Sequence, residues 1–210
     1  LAVFVGSFDV EAVIAIAAAR GLDEWTALDA LSALVAKSLV ERDPMVTGRY
    51  RLLETVRAFA ATLPEGDRPD EATARAHAEH YLSVLQETLL QLRNTDGVEA
   101  TETLVADAAN IEAALTWCGV NGHRKDAFVP FLANVPALLN LLPFTVTDAL
   151  VRPLERLVLE DGAEHTPGFS AACAVAALKA MEDPERERLP RIVGASRRAA
   201  GDASTAYCEA

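Results

Sequence analysis

A mainly α-helical protein with one short β-hairpin is what this sequence predicts, and three observations predict it. Alanine is abundant, aromatic residues make up only 6% of the chain, and most apolar residues recur at three- and four-residue spacing, the period of packed helices. The exception is a pair of short runs, Leu39-Val40-Glu41-Arg42 and Tyr50-Arg51-Leu52-Leu53, separated by Asp43-Pro44-Met45-Val46-Thr47-Gly48. The Pro and Gly of that connector break regular structure and favour a hairpin turn. From Glu54 the apolar positions become Val56, Phe59, Ala60 and Leu63, so the second strand passes directly into a helix.

The elements follow in order. Asp9 is placed to cap a helix through about residue 19, with Val10, Val13, Ile14 and Ala17 expected on its buried side and Gly21 ending it. Asp23 or Glu24 opens a second helix whose apolar stripe is Trp25, Leu28, Leu31, Leu34 and Val35. Helix, helix, hairpin and helix is the order of a compact winged helix, expected over residues 1–63. The polar, Pro-bounded stretch Pro64-Glu65-Gly66-Asp67-Arg68-Pro69 reads as a linker over 64–69. Asp70 then caps a long helix to about Arg93.

A second long helix over about 98–120 carries Leu104, Ala108, Ile111, Leu115 and Trp117 at helical spacing, with Trp117 expected in the core. Further helices are expected near 124–142, 146–160, 167–182 and 185–200. Pro143, Glu160-Asp161-Gly162, Glu182-Asp183-Pro184 and Gly201-Asp202 divide them, and a last helix starts at Asp202 and is cut off at Ala210. Residues 70–210 therefore form a helical arm with the hairpin rhythm of tetratricopeptide-like arrays, although no Leu-Gly-x-x-Tyr element is present. The truncated end fits an array that continues in a parent protein.

Charge narrows the partners. The net charge is −12 and the sequence pI about 4.8, which opposes approach to a nucleic-acid backbone or an anionic membrane. Within residues 1–63, six basic residues stand against eight acidic ones, a net of −2, and the helix that would enter a DNA groove, 24–36, holds Glu24 and Asp29 but no base. Arg49 and Arg51 on the wing are the phosphate contacts open to a DNA-binding reading, too few for useful affinity at physiological salt. Cys118, Cys173 and Cys208 are odd in number and unpaired in spacing, which fits a reduced cytosolic compartment better than a disulfide framework. Only Lys37, Lys125 and Lys179 are lysine, and the Arg and Ala bias suggests a GC-rich, actinobacterial genome. Leu1 to Val5 is too short to span a bilayer and lacks a basic leader, and a start without Met suggests an excised or processed piece.

No catalytic, cofactor or metal site is expected in the chain itself. A Gly-x-x-x-x-Gly-Lys-Ser/Thr cradle for phosphate does not occur. His77 and His80 share a helix face, but no third metal-type ligand stands at a recognisable spacing. Ser7, Ser32, Ser38 and Ser170 lack a nucleophile-elbow context, and no thiol has an activating neighbour. Glu11, Glu54 and Asp70-Glu71 could imitate paired general acids, yet each stands where a helix N-terminus favours negative charge.

The run Arg49-Tyr50-Arg51-Leu52-Leu53-Glu54-Thr55-Val56-Arg57-Ala58-Phe59-Ala60, with Lys37-Ser38-Leu39-Val40 and the opening Leu1-Ala2-Val3-Phe4-Val5-Gly6-Ser7-Phe8-Asp9, resembles the winged-helix domain of bacterial STAND regulators of the NB-ARC type. Asn110-Ile111-Glu112-Ala113-Ala114-Leu115-Thr116-Trp117 is similar to the "N-[LI]-x-A-A-L-x-W" phrase that follows it there, and Arg75-Ala76-His77-Ala78-Glu79-His80-Tyr81-Leu82 to the helix between. The resemblance covers about residues 1–120. It implies a winged helix that packs on a nucleotide-binding domain outside this chain, where ATP or ADP would bind, and an arm that takes an inducer or a protein. A Met-His-Asp phrase of relatives, whose His approaches the nucleotide phosphate, falls on Leu52, Leu53 and Glu54. The His is missing, so the junction is expected to be an interdomain contact without direct phosphate sensing. The competing readings are a DNA-binding winged-helix transcription factor and a small-molecule-handling enzyme.

Overall fold

The computed structural model describes residues 1–64, 69–92, 97–128, 144–160, 163–166, 168–182 and 189–208. The chain is mainly helical, a winged helix followed by a helical region. Helix α1 spans Val10–Ala18 and α2 spans Glu24–Ala36. The Asp9 carboxylate accepts from the Ala12 amide at 2.8 Å and the Asp23 carboxylate from the Thr26 amide at 2.9 Å, each satisfying a donor the first helical turn leaves open. The Thr26 amide and hydroxyl together hold the Asp23 carboxyl below its ordinary range.

Strands β1, Val40–Arg42, and β2, Tyr50–Leu52, pair antiparallel with Val40 opposite Leu52 and Glu41 opposite Arg51. Asp43 shapes the wing tip by accepting from the Met45 amide at 2.8 Å, and Gly48 takes φ +82°, which a glycine adopts without a Cβ penalty. Phe8 extends the ladder, exchanging backbone bonds of 2.8 and 2.7 Å with Tyr50. Leu53 then stands in extended backbone ahead of α3, Glu54–Thr62.

Two compact units divide the chain. The first comprises residues 1–81 and 106–114, the second 82–105 and 115–210. The winged helix thus shares its unit with the start of α4, Glu71–Gln91, and the middle of α5, Gly97–Val120. Its core is built on Phe4 stacked against Phe8 at 4.2 Å, with Ala12, Val13, Ile16, Ala27, Leu31, Val40 and Leu52 around them. The buried stripe of α1 is Ala12, Val13 and Ile16, rotated from the expected set, and Val10, Ile14 and Ala17 are half-buried. Trp25 departs furthest. Expected in the α2 stripe, it is 76% exposed, because α2 turns only Ala27 and Leu31 fully inward.

In the second unit, α6 is Arg124–Phe128, α7 Phe144–Val158, α8 Phe169–Glu182 and α9 Leu189–Cys208. Helix α7 packs on α8 and α8 on α9, burying Leu154, Leu157, Ala172, Val175, Ala176 and Ile192. At Gly168, φ +88°, an added Cβ would lie 2.9 Å from the Phe128 carbonyl oxygen, so this turn requires glycine. Two expectations are corrected. Gly201-Asp202 lies inside α9 rather than between helices, since a single interior glycine costs a helix only about 1 kcal/mol. Trp117 is half-buried, stacked on His123 at 5.0 Å, because it stands in the last turn of α5 where Leu115 and Cys118 take the inward positions. Most of the linker at 64–69, the helix expected over 124–142 past residue 128, and the breaks at Pro143, Asp161-Gly162 and Asp183-Pro184 lie outside the described residues.

Candidate functional site

The first unit sorts its charges into a buried set and an exposed set. Arg49, at the foot of the wing, is only 8% exposed. Its guanidinium donates to both carboxylate oxygens of Asp107 on α5, to the Ser7 carbonyl at 2.9 Å and to the Ser7 hydroxyl at 3.0 Å, with Asp9 at 3.7 Å. Burial holds the Asp107 carboxyl above its ordinary range, and the adjacent guanidinium offsets part of that rise. The wing arginine expected to be open to phosphate is therefore withdrawn from solvent. Removing one partner of such a buried pair leaves the other charge uncompensated, which typically costs about 3–5 kcal/mol.

Beside that pair, the Asn110 amide ties the N-terminal segment to α5. Its oxygen accepts from the Val5 amide at 2.9 Å and the Gly6 amide at 3.3 Å, and its nitrogen donates to the Ser7 carbonyl at 2.8 Å. His77 on α4 meets the same oxygen at 3.3 Å and packs against Tyr81 and Phe4. Burial is the main cause that lowers the His77 imidazole to about 4, so it is neutral near pH 7 and its ring serves packing. Burial likewise holds the Tyr81 phenol well above its usual range. His80 lies edge-on to Tyr81 at 5.0 Å. Among the described residues no cluster of three metal-type ligands occurs.

The exposed set is partly self-compensated. Arg51 binds Glu41 at 2.5 Å across the wing strands, Arg20 binds Asp70 at 3.3 Å, and Arg57 binds Glu54 at 3.4 Å along α3. On α2, Glu24, Trp25 and Asp29 are exposed, and the first base along the helix is Lys37, just past its end. A DNA groove would meet carboxylates and an indole there.

The junction Leu52, Leu53 and Glu54 lines an open groove with Val5, Gly6 and Arg57. Leu52 is buried in β2, Leu53 is half-buried with its amide directed at the Leu39 carbonyl at 3.4 Å, and Glu54 is exposed in the first turn of α3. Glu54 gains from the helix dipole there and presents a like charge to any phosphate. Ser7 belongs to the Arg49 network, Ser32 and Ser170 are exposed, and Ser38 takes a left-handed turn at φ 55°. Cys173 is buried, which pushes its thiol up to about 11 and away from reactivity.

Comparison with known proteins finds a likeness over the same residues. Residues 1–64 match the family model described as the winged helix-turn-helix domain. Proteins named HTH-type transcriptional regulators, one from Mycobacterium bovis and two from strains of Mycobacterium tuberculosis, are each 39% identical to the chain over 130 residues. That segment is 60% of this chain and 14% of each relative, so the chain spans a small part of their length. The likeness is longer than the winged-helix match and so extends beyond it. No solved structure matches the chain. Among the described residues no helix is long and apolar enough to cross a membrane.

Of the site residues the sequence singled out, the structure brings Arg49, Ser7, His77 and Asn110 into one network and leaves Arg51 and Glu54 outside it. Asp107 escaped the sequence reading. Its signal was present: it stands between Leu104 and Ile111 on the apolar stripe of α5, and a carboxylate in that register calls for a buried cationic partner.

Proposed function

We propose that this chain is the winged-helix regulatory segment of a transcriptional regulator and that it works through protein contacts rather than as the DNA reader. The observation that carries this reading is that Arg49 is buried on Asp107 and Arg51 is paired to Glu41, which among the described residues leaves Arg42 as the exposed wing base without an ion pair. Affinity for duplex DNA grows with the number of phosphates neutralised by free cations, and the α2 face supplies carboxylates instead. In the finer form, the parent protein is a cytoplasmic STAND-type ATPase regulator. The Leu52-Leu53-Glu54 junction docks on its nucleotide-binding domain, ATP or ADP is held there, and a tetratricopeptide-like arm takes an inducer or a protein. This chain itself would then be non-catalytic.

A second reading has its own support. The family match and the names of the mycobacterial relatives favour DNA binding through the helix-turn-helix. Gel-shift titration of duplex DNA at about 50 mM salt, where phosphate attraction is strong, separates the two. The protein-contact reading expects no shift. A salt-sensitive complex weakened by Arg42→Ala or Lys37→Ala would establish the DNA reading in its place.

A further inference from the structure

Helix α2 carries an exposed face that neither the core nor the buried network uses. Trp25 is 76% exposed in its first turn, Leu22 just ahead of the cap is 45% exposed, and Glu24 and Asp29 are exposed beside the indole. Asp29 is four residues on from Trp25, which places the two on one helical face. Among the described residues no ion pair engages Glu24 or Asp29. The neighbouring base Arg20 is committed to Asp70 at 3.3 Å, and Lys37 lies twelve residues from Trp25, roughly 18 Å along a helix.

An exposed indole flanked by uncompensated carboxylates complements one chemistry in particular. A guanidinium or ammonium group is attracted to the face of an indole and forms charge-assisted bonds with carboxylates, while an apolar neighbour on the same segment can rest on Leu22. Nucleic acid carries the opposite sign. We infer that the Trp25 and Asp29 face of α2, with the exposed Leu22 ahead of its cap, docks an arginine- or lysine-bearing segment of a protein partner. The inference rests on the protein-contact reading of the winged helix and names the chemistry of the partner. Trp25 is its anchor, the residue type in which binding energy concentrates at interfaces.

The test uses the full chain and a fluorescently labelled amphipathic peptide with Arg at helical spacing on one face and Leu on the other. A Glu-for-Arg counterpart and a duplex DNA serve as comparison probes. Saturable binding of the Arg peptide alone is expected, with a blue shift of Trp25 emission in a Trp117→Phe background. Trp25→Ala should weaken binding at least about tenfold, and Glu24→Gln with Asp29→Asn should weaken it and flatten its salt dependence. Binding that Trp25→Ala leaves unchanged would be generic attraction to an acidic chain and would overturn the inference, as would no binding; the protein-contact reading survives either result. A DNA complex lost in Trp25→Ala would overturn both.

Discussion

The foot of the wing and the exposed face of α2 both carry carboxylates within one compact unit, yet they do opposite things. At the wing foot, Arg49, Asp107 and Asn110 are withdrawn from water and bonded to one another and to the backbone of residues 5–7. On α2, Glu24 and Asp29 stand in solvent around an exposed indole. A charge in the first setting fixes architecture, because leaving it unpaired is expensive. In the second it costs the fold almost nothing and is free to serve recognition.

The largest effect should come from breaking the buried pair. Asp107→Leu is expected to destabilise the protein by about 3–5 kcal/mol by stranding the Arg49 guanidinium, whereas Glu24→Gln should fall within about 0.5 kcal/mol; urea unfolding of both variants measures the contrast. Equal losses would erase the distinction between the two regions. Asn110→Leu should follow at about 2–3 kcal/mol, since it removes the partner of the Val5 and Gly6 amides and of the Ser7 carbonyl. Raised amide exchange confined to residues 4–8 would locate that loss.

His77 adds a pH dependence to the buried side. Its folded value is lowered to about 4 from 6.5, so the unfolded chain takes up a proton that the folded chain refuses. Its contribution is fully present above about pH 6.5 and is lost as pH falls toward 4. His77→Gln should flatten the thermal midpoint across that window, and an unchanged slope would assign the acid sensitivity to other groups. Trp117 sharpens the comparison from between the two extremes. Half-buried and stacked on His123, it should cost about 1–2 kcal/mol on truncation to Ala, read by thermal denaturation; a loss as large as that of Asp107→Leu would return it to the core.

Local order was legible before the fold was. The two short apolar-rich runs and the change to helical period at Glu54 located β2 and α3, and Asp9, Asp23 and Asp70 announced their caps because a short carboxylate three residues ahead of an open amide is sufficient signal. The candidate site was legible only in pieces. Arg49 and Asn110 were visible as parts of motifs, but their roles depend on contacts spanning 58 and about 105 residues of chain, and no periodicity carries information over that distance. The stripe of α2 misled for a related reason: helical spacing says which residues share a side, while the neighbours packed against that side decide how wide the buried strip is, and here it ends before Trp25.

What the sequence by itself determined, then, is the order of elements within the winged helix, the caps at Asp9, Asp23 and Asp70, the wing and the acidic balance, all properties of neighbouring residues and of composition. Tertiary structure alone decided which arginine of the wing is buried, which carboxylate neutralises it and which tryptophan remains in water. Those outcomes turn on desolvation, and a side chain is desolvated by residues remote in sequence that the fold brings against it.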